Sequence, residues 1–473
     1  MAALSILSGE ERRRINNASI EILESTGVKV GHREIFKLLC DAGAQGEEGK
    51  GVVHFPEKLV WKCLSGCPSS VKFSDLEGNT IDLTPGGKTI FWTGNALNVT
   101  NNGMTKGMDS KEFVKLVKVV DQLENVQGVV GTSLEDYPPQ ARDFVGFHLM
   151  AENTSKHLRP CIYTPLGTEI IIEMADVILN GRTLRDYPIF SIGYTIVSPL
   201  HWTRTALESF LKTSGYGIPV MVNSEPLTGA TSPVTLAGSL VLANAEVLSG
   251  IVIVQILEKG RPCIHNTGFA HVLDMRKGNA LNGAAENGLL AAAGAEMASF
   301  YNLPSASWMG TDSLVMDSQN SYEKMITGLL HTLGNVNIIW GIGQMESQLS
   351  ISAEQAVIDN EIAGSILRAK EGIKVNEDTL ALNLIKKMGF RSEYLTSEHT
   401  MKYYKEELGY PEMPNRDRRA DWVKGGSKSL EEKTREKVRE IIKKSNSKKY
   451  LTGSQREKLK KIEKKWLEKC SKI

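Results

Sequence analysis

The sequence lacks the features that would mark a secreted or membrane-spanning protein. Its six cysteines are scattered over 473 residues, a distribution typical of a reducing compartment rather than of a disulfide-stapled domain. The first eight residues contain no basic segment, so we expect no secretion signal. The most apolar stretch, residues 240–257, is interrupted by Asn244 and Glu246 and lacks the uninterrupted run that a membrane span requires. We therefore expect a soluble, cytoplasmic protein.

Signatures of nucleotide chemistry, hydrolysis and metal binding are also missing or incomplete. Gly341 and Gly343 form only part of a dinucleotide-binding fingerprint, and the sequence contains no phosphate-binding lysine loop or nucleophile elbow. Cys63 and Cys67 have no second pair at metal-ligand spacing, so we interpret them as core residues. We expect no bound metal and no tightly bound cofactor.

The chain has almost no net charge, but its charge is unevenly distributed. Lys and Arg total 56 against 55 Asp and Glu, a formal net charge of +1. Residues 424–473 contain 18 basic and 7 acidic residues, a net of +11, so +1 less +11 leaves −10 on the first 423 residues. Because the basic residues of this tail alternate with Glu and few aromatics accompany them, we interpret it as a solvated helix or a docking arm for a partner protein, not as a nucleic-acid-binding segment.

What the sequence does contain is a regular alternation of short apolar strands and amphipathic helices from residue 89 onward. The first and eighth predicted strands begin at residues 89 and 338, a separation of 249 residues, and (β/α)8 barrels take about 250 residues. A doubly wound open sheet is the alternative, but eight similar units favour closure. The predicted strands are residues 89–94, 126–131, 160–164, 189–194, 219–223, 262–268, 305–311 and 338–343.

We therefore predict an α/β fold in three parts. Residues 1–85 form an amino-terminal helical and small β cover, residues 86–373 form a (β/α)8 TIM barrel, and residues 374–473 form a carboxyl-terminal helical extension with a basic tail from about residue 424. In the cover, helices are predicted at 9–27 and 32–42, followed by strands and turns at 52–83. The predicted barrel helices are 111–123, 141–153, 168–179, 202–213, 235–257, 285–301, 321–333 and 354–371.

Aromatic residues at the strand ends are the leading candidates for a binding site, because barrels of this kind carry their chemistry at the carboxyl ends of the strands. Aromatic faces around a shared centre attract a quaternary ammonium by cation–π interactions of ~0.5–2 kcal/mol per ring. Each ring could instead fill core volume or pack against an outer helix, since strand side chains alternate in direction. The candidates are Trp92, Tyr163, Tyr194, Trp308 and Trp340.

Polar residues at the same strand ends suit a zwitterionic ligand. Three amides, Asn223, Asn266 and Gln344, are our candidates for binding a carboxylate. Asp312 and Glu346 are second choices. Each of the strand-end acids Glu225, Asp312 and Glu346 could complement a cation or position a proton, or could instead have a solvated or structural role. No residue is singled out as catalytic.

The run from residue 308 to residue 373 resembles the trimethylamine methyltransferase family. The likeness extends from about residue 20 to about residue 372 and leaves the lysine-rich end outside it. The segments that carry the resemblance are Thr311-Asp312, Asp317-Ser318-Gln319, Tyr322-Glu323-Lys324, Gly341 to Glu346, and Gln355 to Ile362.

The resemblance implies a (β/α)8 barrel that passes a methyl group from an amine to the cobalt of a corrinoid carried on a separate small protein. Archaeal trimethylamine enzymes of the family carry pyrrolysine near the Asp-x-Gln segment, where this chain has Ser318. Members without pyrrolysine resemble enzymes that demethylate quaternary amines, with glycine betaine as the first expectation. Trp92, Tyr194, Trp308 and Trp340 would then bind the cation.

Other interpretations of the same residues stay open at this stage. In the first alternative, the enzyme acts on another betaine, such as proline betaine or carnitine. In the second, it is a zinc-dependent methyltransferase barrel. In the third, the protein is a non-catalytic binding module for quaternary ammonium compounds. In each enzyme interpretation a barrel of this size is expected to form a homo-oligomer.

Overall fold

The chain folds around a ring of parallel strands. A computed structural model describes residues 3–101, 103–268, 271–391, 393–409, 411–445 and 448–470. Within these residues the ring consists of β1 (Ile90–Thr93), β2 (Val126–Val130), β3 (His157–Arg159), β4 (Ile192–Thr195), β5 (Val220–Asn223), β6 (Cys263–Gly268), β7 (Ser305–Trp308) and β8 (Ile338–Ile342). Their order is β3-β2-β1-β8-β7-β6-β5-β4, and a parallel bridge between Leu158 and Phe190 joins the two edges into a nearly closed barrel. The predicted (β/α)8 barrel is confirmed.

Each barrel strand is followed by a helix on the outside of the ring. Five of these eight helices start at a capping side chain. For example, the carboxylate of Asp109 accepts a hydrogen bond from the backbone of Glu112, and the hydroxyl of Ser352 accepts one from the backbone of Gln355. The helices are α1 (Ser110–Asp121), α2 (Arg142–Asn153), α3 (Pro165–Leu179), α4 (Arg204–Lys212), α5 (Leu236–Leu257), α6 (Ala285–Phe300), α7 (Ser318–Leu333) and α8 (Ala353–Glu371).

Helix α5 is long and apolar enough to cross a membrane by length and composition alone, with a mean hydropathy of 2.1. However, 83% of its most apolar window is buried inside the protein. Its polar side chains are used internally: Glu246 accepts hydrogen bonds from Ser198 and Ser224, and Asn244 donates to Ser19. We interpret α5 as a core helix.

The third strand is the one that the sequence misplaces. The prediction put it at residues 160–164, whereas β3 ends at Arg159. Two of the three residues of β3, His157 and Arg159, are polar and buried, so β3 lacks the apolar run that predicts a core strand. The predicted segment begins with Pro160, which has no N–H for a sheet ladder.

A buried cluster fills the barrel interior. Strand residues alternate between the interior and the surrounding helices, and those that point inward include Trp92, Met221, Ile264, Trp308 and Trp340. A hairpin of strands Val71–Ser74 and Thr80–Leu83 adds Phe73 to this cluster, with its ring 5.5 Å from that of Trp92. The hairpin thus lies under the amino-terminal ends of the barrel strands.

The amino-terminal segment combines helices and short strands, but residues 52–83 contain a helix, Glu57–Gly66, where strands and turns were predicted. The buried residues of this helix recur at helical spacing, which the prediction overlooked: Leu59, Val60, Cys63 and Leu64. The remaining elements are helices Gly9–Ser25 and Arg33–Asp41 and strands Val28–Val30, Gln45–Glu47 and Val52–His54. The boundaries near residues 85 and 373 stay predictions.

Short strands in the βα loops build two small sheets over the carboxyl ends of the barrel strands. The first combines Asn98–Asn101, Met104–Gly107, Gln344–Met345 and Ser350–Ile351, and so joins the loops after β1 and β8. The second combines Leu227–Thr228, His271–Asp274 and Asn279–Leu281 in the loops after β5 and β6. Strand His201–Trp202, after β4, pairs with the amino-terminal strand Val28–Val30.

The basic tail packs on the barrel, which corrects the expectation of a solvated helix, whereas its predicted role in docking a partner protein stays a prediction. Helix Leu430–Ser445 contacts α1 and α8, and helix Gly453–Cys470 contacts α2 and α3. Trp466 donates a hydrogen bond to Glu173 at 3.1 Å. The other carboxyl-terminal helices are Glu377–Leu380, Leu382–Met388, Glu398–Glu407 and Arg419–Lys424.

Candidate active site

A cavity of about 340 Å³ lies at the carboxyl ends of the barrel strands. Its size suits a small organic molecule, and its position is the one at which barrels of this class carry their chemistry. The predicted binding residues Tyr194, Asn223, Trp308 and Trp340 line it. It is also lined by Asn95, Val130, Arg159, Cys161, Ile162, Tyr163, Gly193, Thr195, Glu225 and Gln348.

Three tryptophans form a continuous aromatic column inside the barrel. The ring centroids of Trp308 and Trp340 are 5.5 Å apart, and those of Trp340 and Trp92 are 5.8 Å apart. Trp308 and Trp340 line the cavity, whereas Trp92 is fully buried and stacks on His157 at 5.3 Å. Trp92 therefore supports the other two from the amino-terminal side.

The tyrosines contribute differently to the cavity. Tyr194 donates a hydrogen bond from its hydroxyl to the carbonyl of Ile162 at 2.6 Å, and its ring meets Phe210 of α4 edge-on at 6.0 Å. It therefore lines the cavity while packing toward the outer helices. Tyr163 follows β3 and is 41% exposed at the cavity's opening.

The candidate amides mostly bind one another and the backbone. Asn266 donates to the side-chain oxygen of Asn223 at 3.0 Å, and its own oxygen accepts from the backbone of Gly268 at 3.1 Å. Gln344 accepts from the indole N–H of Trp308 and donates to the carbonyl of Asn95. Asn223 thus faces the cavity, and Gln344 holds the Trp308 ring in place.

Asp312 and Glu346 lie in the loops that surround the opening. The Asp312 carboxylate accepts hydrogen bonds from the backbone of Asn282 at 2.7 Å and from the hydroxyl of Ser347 at 2.7 Å. It therefore ties together the loops after β6, β7 and β8. Glu346 begins a run of three non-glycine residues with positive φ (55°, 48° and 76°), an uncommon conformation that holds the loop after β8 in a left-handed turn.

A histidine–carboxylate pair stands at the rim of the cavity. Nε2 of His271 is 3.1 Å from the Glu225 carboxylate and 3.0 Å from the side-chain nitrogen of Gln348. The Glu225 side chain is 35% exposed, so it places negative charge at the opening. The sequence suggests Glu225 as a possible partner for a cation, but nothing in the sequence marks His271.

Arg159 is a charged lining residue that was not predicted from the sequence. It is the last residue of β3, is 6% exposed and places its guanidinium 5.4 Å from the ring of Trp340. The misplacement of β3 hid it, because the prediction began that strand one residue later. A single arginine directly before a proline at a strand end was the only available signal.

The motifs that carried the family resemblance meet in one buried network behind the cavity. Nζ of Lys324 lies 2.9 Å from the Asp359 carboxylate, and both side chains are completely buried. Lys324 also donates to the carbonyl of Gly341, and Asp359 accepts from the backbone of Gly343 at 2.7 Å. At Gly341 φ is +110°, and a Cβ there would lie 2.0 Å from the carbonyl oxygen of Met309, so only glycine fits. The network fixes the end of β8.

The cysteines are dispersed or buried, and each of the six is a free thiol. The thiols of Cys67 and Cys263 are neighbours, and this contact and burial raise the pKa of the Cys67 thiol far above its usual range. In the described part of the chain, no group of three or more His, Cys, Asp and Glu residues has an arrangement that could hold a metal ion.

Together these features define a (β/α)8 barrel with a cavity of small-molecule size at its mouth. Comparison with known proteins then gives the family: the family model described as trimethylamine methyltransferase (MTTB) matches residues 1–467. The chain belongs to this methyltransferase family. The match includes the lysine-rich tail, which corrects the expectation that the likeness ends near residue 372.

Individual relatives agree with this assignment. Trimethylamine methyltransferase MttB of Methanosarcina thermophila is 35% identical over 455 residues, which cover 93% of each chain. A glycine betaine methyltransferase of Desulfitobacterium hafniense (strain Y51) is 27% identical over 442 residues, 92% of this chain and 91% of that protein. The solved monomethylamine methyltransferase of Methanosarcina barkeri superposes with a TM-score of 0.52 at 11% identity over 91% of this chain and 92% of that one, a likeness of fold.

Proposed function

We propose that this protein transfers a methyl group from a quaternary amine, glycine betaine, to the corrinoid of a separate small protein and releases dimethylglycine. The observation that carries the proposal is the cavity at the barrel mouth, where Trp308 and Trp340 meet at 5.5 Å and Glu225 adds negative charge at the rim. Aromatic faces and a carboxylate are the groups that attract a trimethylammonium ion. The family assignment supplies the reaction type.

A quaternary amine suits this site because its nitrogen is already a good leaving group. When the methyl carbon bonds to the reduced cobalt of the corrinoid, the C–N bond breaks and its electron pair stays on nitrogen, which leaves as a neutral tertiary amine. No proton transfer is required, so the chain's own task is to desolvate the substrate and aim one methyl group at the opening. Trp308 and Trp340 provide such a dry surface.

Trimethylamine is disfavoured as the substrate by one position in the chain. Ser318 stands where the family resemblance places pyrrolysine, and in the structure it is the exposed first residue of α7, beyond the end of β7. A tertiary amine is a poor methyl donor without activation, and a serine hydroxyl offers none. The 35% identity to a trimethylamine enzyme therefore supports the scaffold rather than that substrate.

The corrinoid protein is proposed to dock on the barrel mouth. The loops after β1, β7 and β8 carry apolar side chains that are 50–62% exposed: Leu97, Leu314, Val315 and Leu349. Exposed apolar residues around a binding site are typical of protein–protein contact surfaces. They surround the opening through which the methyl group must leave.

Two further properties complete the proposal. Three carboxyl-terminal helices contain no buried residue among those described: Glu377–Leu380, Leu382–Met388 and Glu398–Glu407. They expose large apolar side chains, since Leu382 is 56% and Met401 is 68% exposed. We expect this segment to be covered in a homo-oligomer, which light scattering would detect as a multiple of 52.0 kDa.

A cytoplasmic location agrees with six free thiols.

The direct test is methyl transfer to reduced cobalamin. Incubating the purified protein with glycine betaine and cob(I)alamin should produce the absorbance of methylcobalamin and an equal amount of dimethylglycine. Proline betaine, carnitine, choline and trimethylamine form the substrate panel. Transfer from another betaine alone would change the substrate, whereas tight betaine binding without transfer to any corrinoid protein would indicate a binding module. Stoichiometric zinc in the active protein would favour the zinc-dependent alternative.

A further inference from the structure

Arg159 is a buried cation without a counter-ion in the described part of the chain. Its Nη1 donates to the carbonyl of Pro160 at 2.6 Å, and its Nη2 donates to the carbonyl of Gly193 at 2.8 Å. Among the described residues no carboxylate pairs with it, and its Nε has no hydrogen-bond partner. Burying an unpaired charge is unfavourable. Burial accordingly lowers the pKa of Arg159 to about 10, a value at which the guanidinium is still charged at neutral pH.

The space around the guanidinium is shaped by its neighbours. A Cβ at Gly193 would lie 2.8 Å from Nη2, so the glycine on β4 leaves room for the arginine. The guanidinium lies over the ring of Trp340, the same ring that contributes to the proposed cation site. Arg159 and Glu225 are the charged groups among the described lining residues, one buried and one at the rim. The cavity is therefore positive inside and negative at its opening.

We infer that Arg159 binds the carboxylate of the substrate and so makes the site selective for zwitterionic betaines over simple methylated amines. This inference rests on the proposed function and adds the residue that determines specificity. A guanidinium binds a carboxylate through two parallel hydrogen bonds. With the carboxylate held inside, the quaternary nitrogen lies toward Glu225 and the opening, where the methyl group leaves.

The charge pattern also explains why simple amines would bind poorly. Protonated trimethylamine or tetramethylammonium would bring a second positive charge next to Arg159 without neutralising it. The amides favoured from the sequence are less suitable, because Asn266 and Gln344 are engaged with other protein groups. Of the five N–H donors of Arg159, two are used by the carbonyls of Pro160 and Gly193, so donors remain for a ligand, whereas these two amides hold other parts of the site in place.

The test compares ligands that differ in one group, using calorimetry on the full-length protein. Glycine betaine and choline share the trimethylammonium group, but choline carries a hydroxyl in place of the carboxylate. A hydrogen bond to a charged group contributes more binding free energy than one between neutral groups. The wild-type protein should therefore bind betaine about 10- to 100-fold more tightly than choline. Arg159→Met should reduce this preference to within about threefold, and Arg159→Lys should retain part of it.

Tyr163→Phe is the matched control, because Tyr163 lines the same cavity without charge. It should change the binding of betaine and choline by the same factor. If Arg159→Met does not fold, the wild-type comparison alone decides: a betaine preference below about threefold overturns the inference. A preference that persists in folded Arg159→Met also overturns it. Methyl transfer from betaine that does not depend on Arg159 would leave the proposed function intact, whereas an Arg159-dependent preference without any transfer would refute only the proposed reaction.

Discussion

Replacing Trp308 by leucine tests whether the cavity recognises a cation through its aromatic faces. Trp308 is 6% exposed, its ring lies 5.5 Å from that of Trp340, and Gln344 accepts its indole hydrogen bond. A desolvated cation–π contact with tryptophan contributes about 2 kcal/mol, and each 1.4 kcal/mol changes Kd about tenfold. We therefore expect Trp308→Leu to weaken glycine betaine binding by about 10- to 30-fold.

The assay separates this attraction from simple loss of volume. Titration calorimetry would compare glycine betaine with 3,3-dimethylbutyrate, in which carbon replaces the nitrogen and the positive charge is gone. The variant should weaken betaine by clearly more than the isostere. Trp202→Leu is the control, because Trp202 is equally buried but packs against Phe210 outside the cavity. It should lower thermal stability and leave both affinities unchanged. Equal losses for the two ligands in Trp308→Leu would refute the cation–π argument.

Three further predictions concern the scaffold. Asp359→Asn leaves Lys324 buried without its partner, and breaking a buried ion pair costs about 3–5 kcal/mol of folding free energy. The midpoint of thermal unfolding should therefore fall by about 3–5 °C for a chain of this length. An unchanged midpoint would contradict the assigned pair. Burial disfavours a charged His148, but Glu152 and Glu463 outweigh burial and raise the pKa of His148 to about 9. The stabilisation that protonated His148 gives to the folded state should be complete below about pH 6.5 and be lost as pH rises through 9. In denaturant titrations, the free energy of unfolding of His148→Gln should not show this decrease with pH. Ending the chain before residue 424 removes helices that bury Val438 against the barrel, so calorimetry should show lower stability, whereas unchanged stability would restore the docking-arm interpretation.

Much of the fold could be predicted because the barrel strands and helices follow apolar periodicity. Strands β1, β2, β5 and β6 lie within a residue or two of the predicted ranges. The failures occur where polar groups are buried: β3 contains His157 and Arg159, and its sequence does not read as a core strand. The basic tail was misread for a related reason, since its charged surface hides the narrow apolar stripe that includes Val438 and Ile441.

The candidate site was predictable only at the level of position. The strand ends indicate the barrel mouth, where the cavity lies, because closure of a barrel brings all carboxyl ends to one rim. Which side chains face the cavity depends on register: Trp92 lies beneath Trp340 and outside the cavity lining, while Tyr194 packs toward α4. His271 comes from a loop strand with no sequence signature, and its approach to Glu225 depends on the sheet that joins the loops after β5 and β6.

The residues that stabilise the barrel and the residues that line the cavity are different, which explains why overall sequence similarity to a relative does not determine the substrate. The most recognisable motifs, including Lys324, Gly341 and Asp359, form a buried network that fixes the end of β8 and does not line the cavity at the barrel mouth. Because such residues hold the end of the barrel in place whatever amine is bound, they do not distinguish one substrate from another. If Arg159 binds the substrate carboxylate as we propose, selection between a cation and a zwitterion depends on the charge inside the cavity, to which Arg159 contributes one positive unit. A relative with the same scaffold and an uncharged residue at this position should therefore prefer simple methylated amines.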